Sequence, residues 1–160
     1  MKLLKLSILA LAGLCFAGLR KPFCTANVEG TTGTHEKAIG RFTDAAIATR
    51  YLLFKKGSDA DHIAVCGAAD VPLGTVADEA TAAEQRVHVN LLGKGPTKKM
   101  VASEAIAAGV EVFTAAGGKI QDLPAGAGTY RCVGVSVTAA AADGDVIEVN
   151  DCAPIKTVVA

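Results

Sequence analysis

Hydrophobic and polar positions alternate with period two along most of the chain after residue 38, and glycine closes almost every apolar run. The clearest stretch is 105–150. There Val110, Val112 and Thr114 alternate with Glu111 and Phe113, and Gly117-Gly118 then turns the chain into Lys119-Ile120-Gln121. A Gly-Gly pair between alternating runs is a hairpin signal, because both central residues accept positive φ without a Cβ clash. Residues 131–138 alternate again, with Val133, Val135 and Val137 expected on one face, and Asp143-Gly144 turns into a strand over 145–149. Earlier in the chain, strands are expected over 50–56, 61–66 and 86–92, the last with Val87, Val89 and Leu91 pointing one way. A short extended piece should follow the turn at Pro72-Leu73-Gly74. Residues 38–47 suit a short strand or an edge segment, 155–159 a final strand, and 78–84 is the one stretch that could form a helical turn. Seven to nine short strands with β-branched enrichment predict an all-β fold, a small antiparallel sandwich or barrel. No internal repeat of fixed period is visible.

The first 37 residues read differently. Lys2 and Lys5 precede an apolar stretch from Leu6 to Leu19, which has the form of a secretory signal peptide with a small-x-small site ending at Ala17. The stretch is short for a membrane span, which needs about 20 residues. Residues 21–34 are polar and rich in Thr and Gly, as a linker or extended arm would be. The expected organisation is thus a leader and N-terminal arm over 1–37, followed by a single β domain over 38–160.

Composition narrows the function classes. Sixteen basic and sixteen acidic residues balance, so the electrostatic footprint of a nucleic-acid binder is missing. Aromatics make up 4% with no Trp, which leaves little for a base-stacking platform. Charge is unevenly spread: 13 basic and 9 acidic residues precede Val101, and 3 basic and 7 acidic follow Met100. Two regions of opposite sign would suit head-to-tail or shell-type docking.

Candidate chemistry is sparse. The cysteines are Cys15, Cys24, Cys66, Cys132 and Cys152, with no C-x-x-C pair to support structural zinc. Cys66 and Cys132 lie within apolar strand patterns, where a free thiol acts as a small buried hydrophobe. Loss of Cys15 with a leader would leave four, an even number compatible with two disulfides. His62 and Cys66 fall on one strand face but roughly 13 Å apart along it, too far for a nucleophile–base pair. A pair assembled across strands, Cys66 or Cys132 with His88, stays open. The loop Gly93-Lys94-Gly95-Pro96-Thr97-Lys98-Lys99 lacks the spacing and following helix of a phosphate loop. It reads as a solvated hairpin loop that could dock on an acidic partner surface. Asp143-Gly144-Asp145 lacks the further ligands of a calcium loop and reads as a turn.

Residues 50–155 resemble the phage capsid cement (head decoration) protein family. The residues that carry the resemblance are the early strand pair over 50–66 with its Pro72-Leu73-Gly74 turn, then Val89-Asn90-Leu91-Leu92-Gly93. They continue as the hairpin from Ala107 through Ala115-Ala116-Gly117-Gly118-Lys119-Ile120, the strand from Tyr130 through Val133-Gly134 to Ser136, and the closing Gly144-Asp145-Val146-Ile147-Glu148-Val149. The resemblance implies a β protein without an active site or cofactor that binds the outside of an assembled shell. Its partners would be the major capsid protein and copies of itself, as a dimer or trimer. Members are made in the host cytoplasm, and the apolar leader departs from that pattern. Such a protein works by many weak contacts multiplied by symmetry. Shell or subunit contact is therefore expected from Leu14, Phe16, Leu19, Phe23, Thr31 and Thr32 in the leader and arm, and from Lys94, Lys98 and Lys99 in the basic loop. No nucleic acid, and no membrane in the mature form, is expected. The competing expectation is a secreted or periplasmic β-sandwich binding module with a cleaved signal peptide. A cysteine hydrolase is a third.

Overall fold

The computed structural model describes residues 37–159, with side chains described through Asp151. The fold is all-β. Among the described residues ten strands run β1 (Ala38–Thr43), β2 (Leu53–Lys56), β3 (His62–Val65), β4 (Gly74–Val76), β5 (Arg86–Leu91), β6 (Lys98–Val101), β7 (Glu111–Thr114), β8 (Ile120–Gln121), β9 (Gly128–Ser136) and β10 (Val146–Val159). The first five close into a barrel in the order β1-β3-β2-β4-β5, and the second five form a sheet in the order β6-β10-β9-β7-β8.

The two halves are one design used twice. In the first, β1 pairs antiparallel with β5 through Phe42–Arg86 and Ile39–Val89; in the second, β6 pairs with β10 through Val101–Val146 and Lys98–Val149. Leu53–Thr75 and Phe54–Gly74 join β2 to β4, and Glu111–Val135 and Val112–Gly134 join β7 to β9 in the same register. The parallel β1–β3 contact at Thr43–Ile63 recurs as the bridge Ala102–Ile120, which curls the second sheet toward a barrel of its own. The bridge Ile47–Ala80 recurs as Ile106–Ala140. Turn bonds repeat too: Tyr51 N–H donates to the Val76 carbonyl at 2.7 Å, and Gly109 N–H to the Ser136 carbonyl at 2.8 Å. Asp78 accepts from His88 N–H where Thr138 accepts from Glu148 N–H, both at 2.9 Å. An internal repeat therefore exists, about sixty residues long. It escapes the sequence because backbone bonds, small side chains and interchangeable aliphatics carry it, and because its strands are displaced by loops of unequal length.

Packing follows the repeat. Ile47, Phe54, Ile63, Val76, Ala80, Val87 and Val89 fill the first barrel. Ile106, Val112, Ile120, Ala140, Ile147 and Val149 stand at the matching places in the second core, and buried Ser136 replaces Val76. The second core takes in three residues from the first half, Leu53, Cys66 and Leu92. At this seam the Gly118 N–H donates to the Cys66 carbonyl at 2.7 Å, and Thr114 Oγ1 donates to the Ala68 carbonyl. A Cβ on Gly118 would come within 2.7 Å of the Leu53 carbonyl oxygen. Glycine is needed there for close approach as well as for its φ of 74°.

Several expected elements are revised. The strand over 50–56 begins only at Leu53, because Tyr51 turns the chain at a φ of 64°. Residues 78–84 are not helical: Ala80 is tied to Ile47 by two backbone bonds of 2.7 and 3.0 Å, and Glu84 closes the turn at a φ of 61°. The valines of 131–138 do not share a face. Val133 is buried and Val135 and Val137 are exposed, because β9 bulges where its pairing with β7 steps from Gly134 to Cys132. One extra residue in a strand sends every later side chain to the opposite face. Phe113, expected beside Glu111, is buried at the same irregularity.

Candidate functional site

The basic loop between the halves forms the wall of a cleft. Its far side is the outer surface of the first barrel, where Tyr51, Thr75 and Asn90 stand on the β2–β4–β5 wall, and Lys37 guards one end. The cleft holds about 230 Å³. Tyr51 projects here because its left-handed backbone turns the chain just before β2. Lys99 Nζ lies 5.6 Å from the centre of the Tyr51 ring, within cation–π range. Lys37, Lys94 and Lys99 are exposed, so the rim presents three cations to solvent.

Lys98 does not belong to that rim. It is the first residue of β6 and only 8% exposed. Its ammonium donates to the Lys94 carbonyl at 2.9 Å and the Pro96 carbonyl at 3.2 Å, and faces Asp151 Oδ1 at 3.6 Å. Asp151 in turn accepts from Gly93 N–H at 2.6 Å. Lys98 thus holds the loop in shape from inside, and its expected role as a surface contact is overturned: strand alternation turns it inward and leaves Lys99 outward. Leu14, Phe16, Leu19, Phe23, Thr31 and Thr32 lie outside the described residues.

The titratable groups elsewhere are structural in geometry. His62 Nδ1 sits 2.7 Å from Asp59, and Nε2 sits 3.1 Å from Glu84. The Asp59 hydrogen bond first, and the Glu84 bond second, push its pKa up to about 9, while the same contact lowers that of Asp59. A histidine held protonated between two carboxylates is a clasp between loops, not a general base. Burial, with the Asp70 charge as a second cause, pushes the Cys66 thiol up to about 12. A thiolate is the reactive form, so Cys66 is a poor nucleophile. Cys66 and Cys132 are both buried. The cross-strand pair with His88 does not form: His88 lies against Asp78 at 3.5 Å with its side chain largely exposed. Lys55 and Asp70 pair at 2.7 Å beside this region, which raises the Lys55 pKa and lowers that of Asp70. Among the described residues no group of three His, Cys, Asp or Glu side chains is placed to hold a metal ion.

Sequence reasoning found Lys94 and Lys99 from the run of basic residues. It missed Lys37, Tyr51, Thr75 and Asn90, which the barrel brings together from positions without a shared motif. The arrangement suits recognition of an acidic surface or an extended acidic segment. No protein-family model matches the chain, and a search of curated proteins finds no match.

Proposed function

We propose that this chain is a non-enzymatic cement protein that binds the outside of a bacteriophage capsid and stabilises the shell. The observation that carries the reading is the ordered resemblance over residues 50–155, whose hairpin, glycine and closing-strand elements coincide with β7–β8, β9 and β10. Two further features support it. A rigid scaffold of small apolar side chains presents a basic cleft, and the buried thiols and clasped His62 offer no nucleophile–base pair. Its partners on this reading are the major capsid protein and further copies of itself, with assembly in the host cytoplasm and a final place on the virion exterior.

A secreted or periplasmic binding module is the second reading, favoured by the apolar leader from Met1 to Leu19. The intact mass of the chain, taken from purified particles and from culture fluid with and without reductant, separates the two. A full-length chain found on particles, with no mass gain on reduction, is the expected result. A chain cut near Ala17 and found free of particles would overturn the cement reading. On the cement reading, deletion of residues before Ala38 removes particle binding and leaves the β domain folded.

A further inference from the structure

The repeat allows the two halves to be compared as surfaces. On the first barrel, the paired residues Leu53 and Thr75 point away from their own core, yet they are 0% and 2% exposed. What covers them is the second half: Leu53 enters its core, and the loop of residues 93–97 leading into β6 stands over Thr75 and Asn90. On the second half the matching pair is Glu111 and Val135, with Asn150 where Asn90 stands. Among the described residues there is no third half to cover them. Val135 is 40% exposed and its neighbour Val137 48%, side by side on an outward sheet face, with Glu111 and Glu148 also exposed.

We propose that this face of β7, β9 and β10 is a self-association surface, and that a second copy seats its first barrel there, head to tail, as the second half seats on the first within one chain. The register names the contacting segment. Ile39 faces Val89 as Lys98 faces Val149, so Lys37 at the entrance to β1 is the counterpart of Pro96, which lines the internal cleft. Lys37 is exposed and the receiving face carries exposed Glu111, which is complementary in charge; Glu148 beside it already accepts from Thr97 Oγ1 and lies opposite Lys99. The apolar centre is what an interface core needs, and a contact between unlike surfaces repeats from copy to copy until it closes into a ring or runs on as a filament. This inference deepens the self-association that the shell-binding reading already includes, by naming its surface, and its test contains no shell, so the two can fail separately.

The test is disulfide trapping between two single-cysteine additions in the full-length protein. Lys37→Cys and Val135→Cys are prepared separately, oxidised alone and as a mixture, and mapped by peptide mass; Lys37→Cys with Val137→Cys gives a second pair. Both valines are exposed, so the substitutions leave the core intact. The expected result is a disulfide in the mixture between the thiol introduced at position 37 and the one introduced at position 135 or 137. Neither variant alone should form it, and the sedimentation coefficient of the unsubstituted protein should rise with concentration. Val135→Lys with Val137→Lys should abolish that rise and retain the β circular-dichroism spectrum. Self-linking of Val135→Cys alone would overturn the head-to-tail geometry in favour of a two-fold contact. Failure of both mixtures to cross-link, or sedimentation as a monomer at all concentrations, would overturn the proposal outright.

Discussion

Gly74 and Gly134 show at single-residue scale why the two halves share one geometry. A Cβ on Gly74 would fall 2.2 Å from the Asn90 carbonyl oxygen and 2.9 Å from Val89 Cγ1; on Gly134 it would fall 2.3 Å from the Asn150 oxygen and 2.9 Å from Val149 Cγ1. The obstacles are the same atoms of corresponding residues, and backbone oxygen cannot swing aside as a flexible side chain can. Overpacking of this kind costs about 1–3 kcal/mol. Gly74→Ala should therefore destabilise by that order. Gly134→Ala should cost more, since a φ of 153° adds backbone strain to the clash. Urea unfolding of both variants beside the parent measures the two costs, and an alanine tolerated at either site would show that the strands can move apart there. Both glycines stand in the sequence as punctuation, one in a Pro-Leu-Gly turn and one mid-strand. Their common role is invisible there because the obstructing oxygen belongs to a strand some sixteen residues away.

Between elements, the turns were legible and the faces were not. Gly117-Gly118 and Asp143-Gly144 mark real reversals, because local backbone chemistry decides a turn. The turn expected at Pro72-Leu73-Gly74 falls earlier, at 68–70, and Gly74 already belongs to β4. The face of Val135 and the burial of Lys98 depend on a bulge and on a strand start, and each is settled by the pairing partner rather than by the strand itself. The basic rim was half legible for the same reason: Lys94 and Lys99 are local, whereas Lys37, Thr75 and Asn90 arrive through the barrel. The His62 clasp is likewise non-local, since it joins the β2–β3 turn at Asp59 to the turn before β5 at Glu84. It yields a pH dependence with a definite sign. The folded pKa of about 9 lies above the ordinary histidine value of 6.5, so the folded state binds the proton more tightly than the unfolded chain. The stabilisation is full below pH 6.5, declines as pH rises, and is gone once pH has passed about 9. Between roughly pH 6 and pH 9.5, on either side of that window, the urea midpoint should fall further for the parent than for His62→Gln, which cannot gain the charge. Parallel changes in the two proteins would mean that the clasp does not couple to folding.

For the whole molecule, the decisive feature is that the repeat is not two independent barrels. The first half has a core of its own, but Leu53, Cys66 and Leu92 leave it to complete the second. The second half also reaches back across the seam, where the Gly118 and Thr114 bonds end on carbonyls of the first. Were the halves separate folding units, unfolding would show two transitions and a seam residue would affect only the nearer one. With a shared core, loss of either half strips apolar cover from the other, and the expected outcome is one cooperative transition. Leu53→Ala tests this directly, because the residue belongs to β2 by chain and to the second core by packing. Its truncation should cost about 2–5 kcal/mol, as for other fully buried leucines. It should lower amide protection in β1–β5 and β6–β10 together. Hydrogen exchange read strand by strand makes the distinction: protection lost in both halves by the same free energy means one unit, while loss confined to one half means that the seam is an interface between two. The same seam gives the proposed self-association its physical basis. A face that requires cover in the first half is displayed again in the second, where among the described residues nothing covers it.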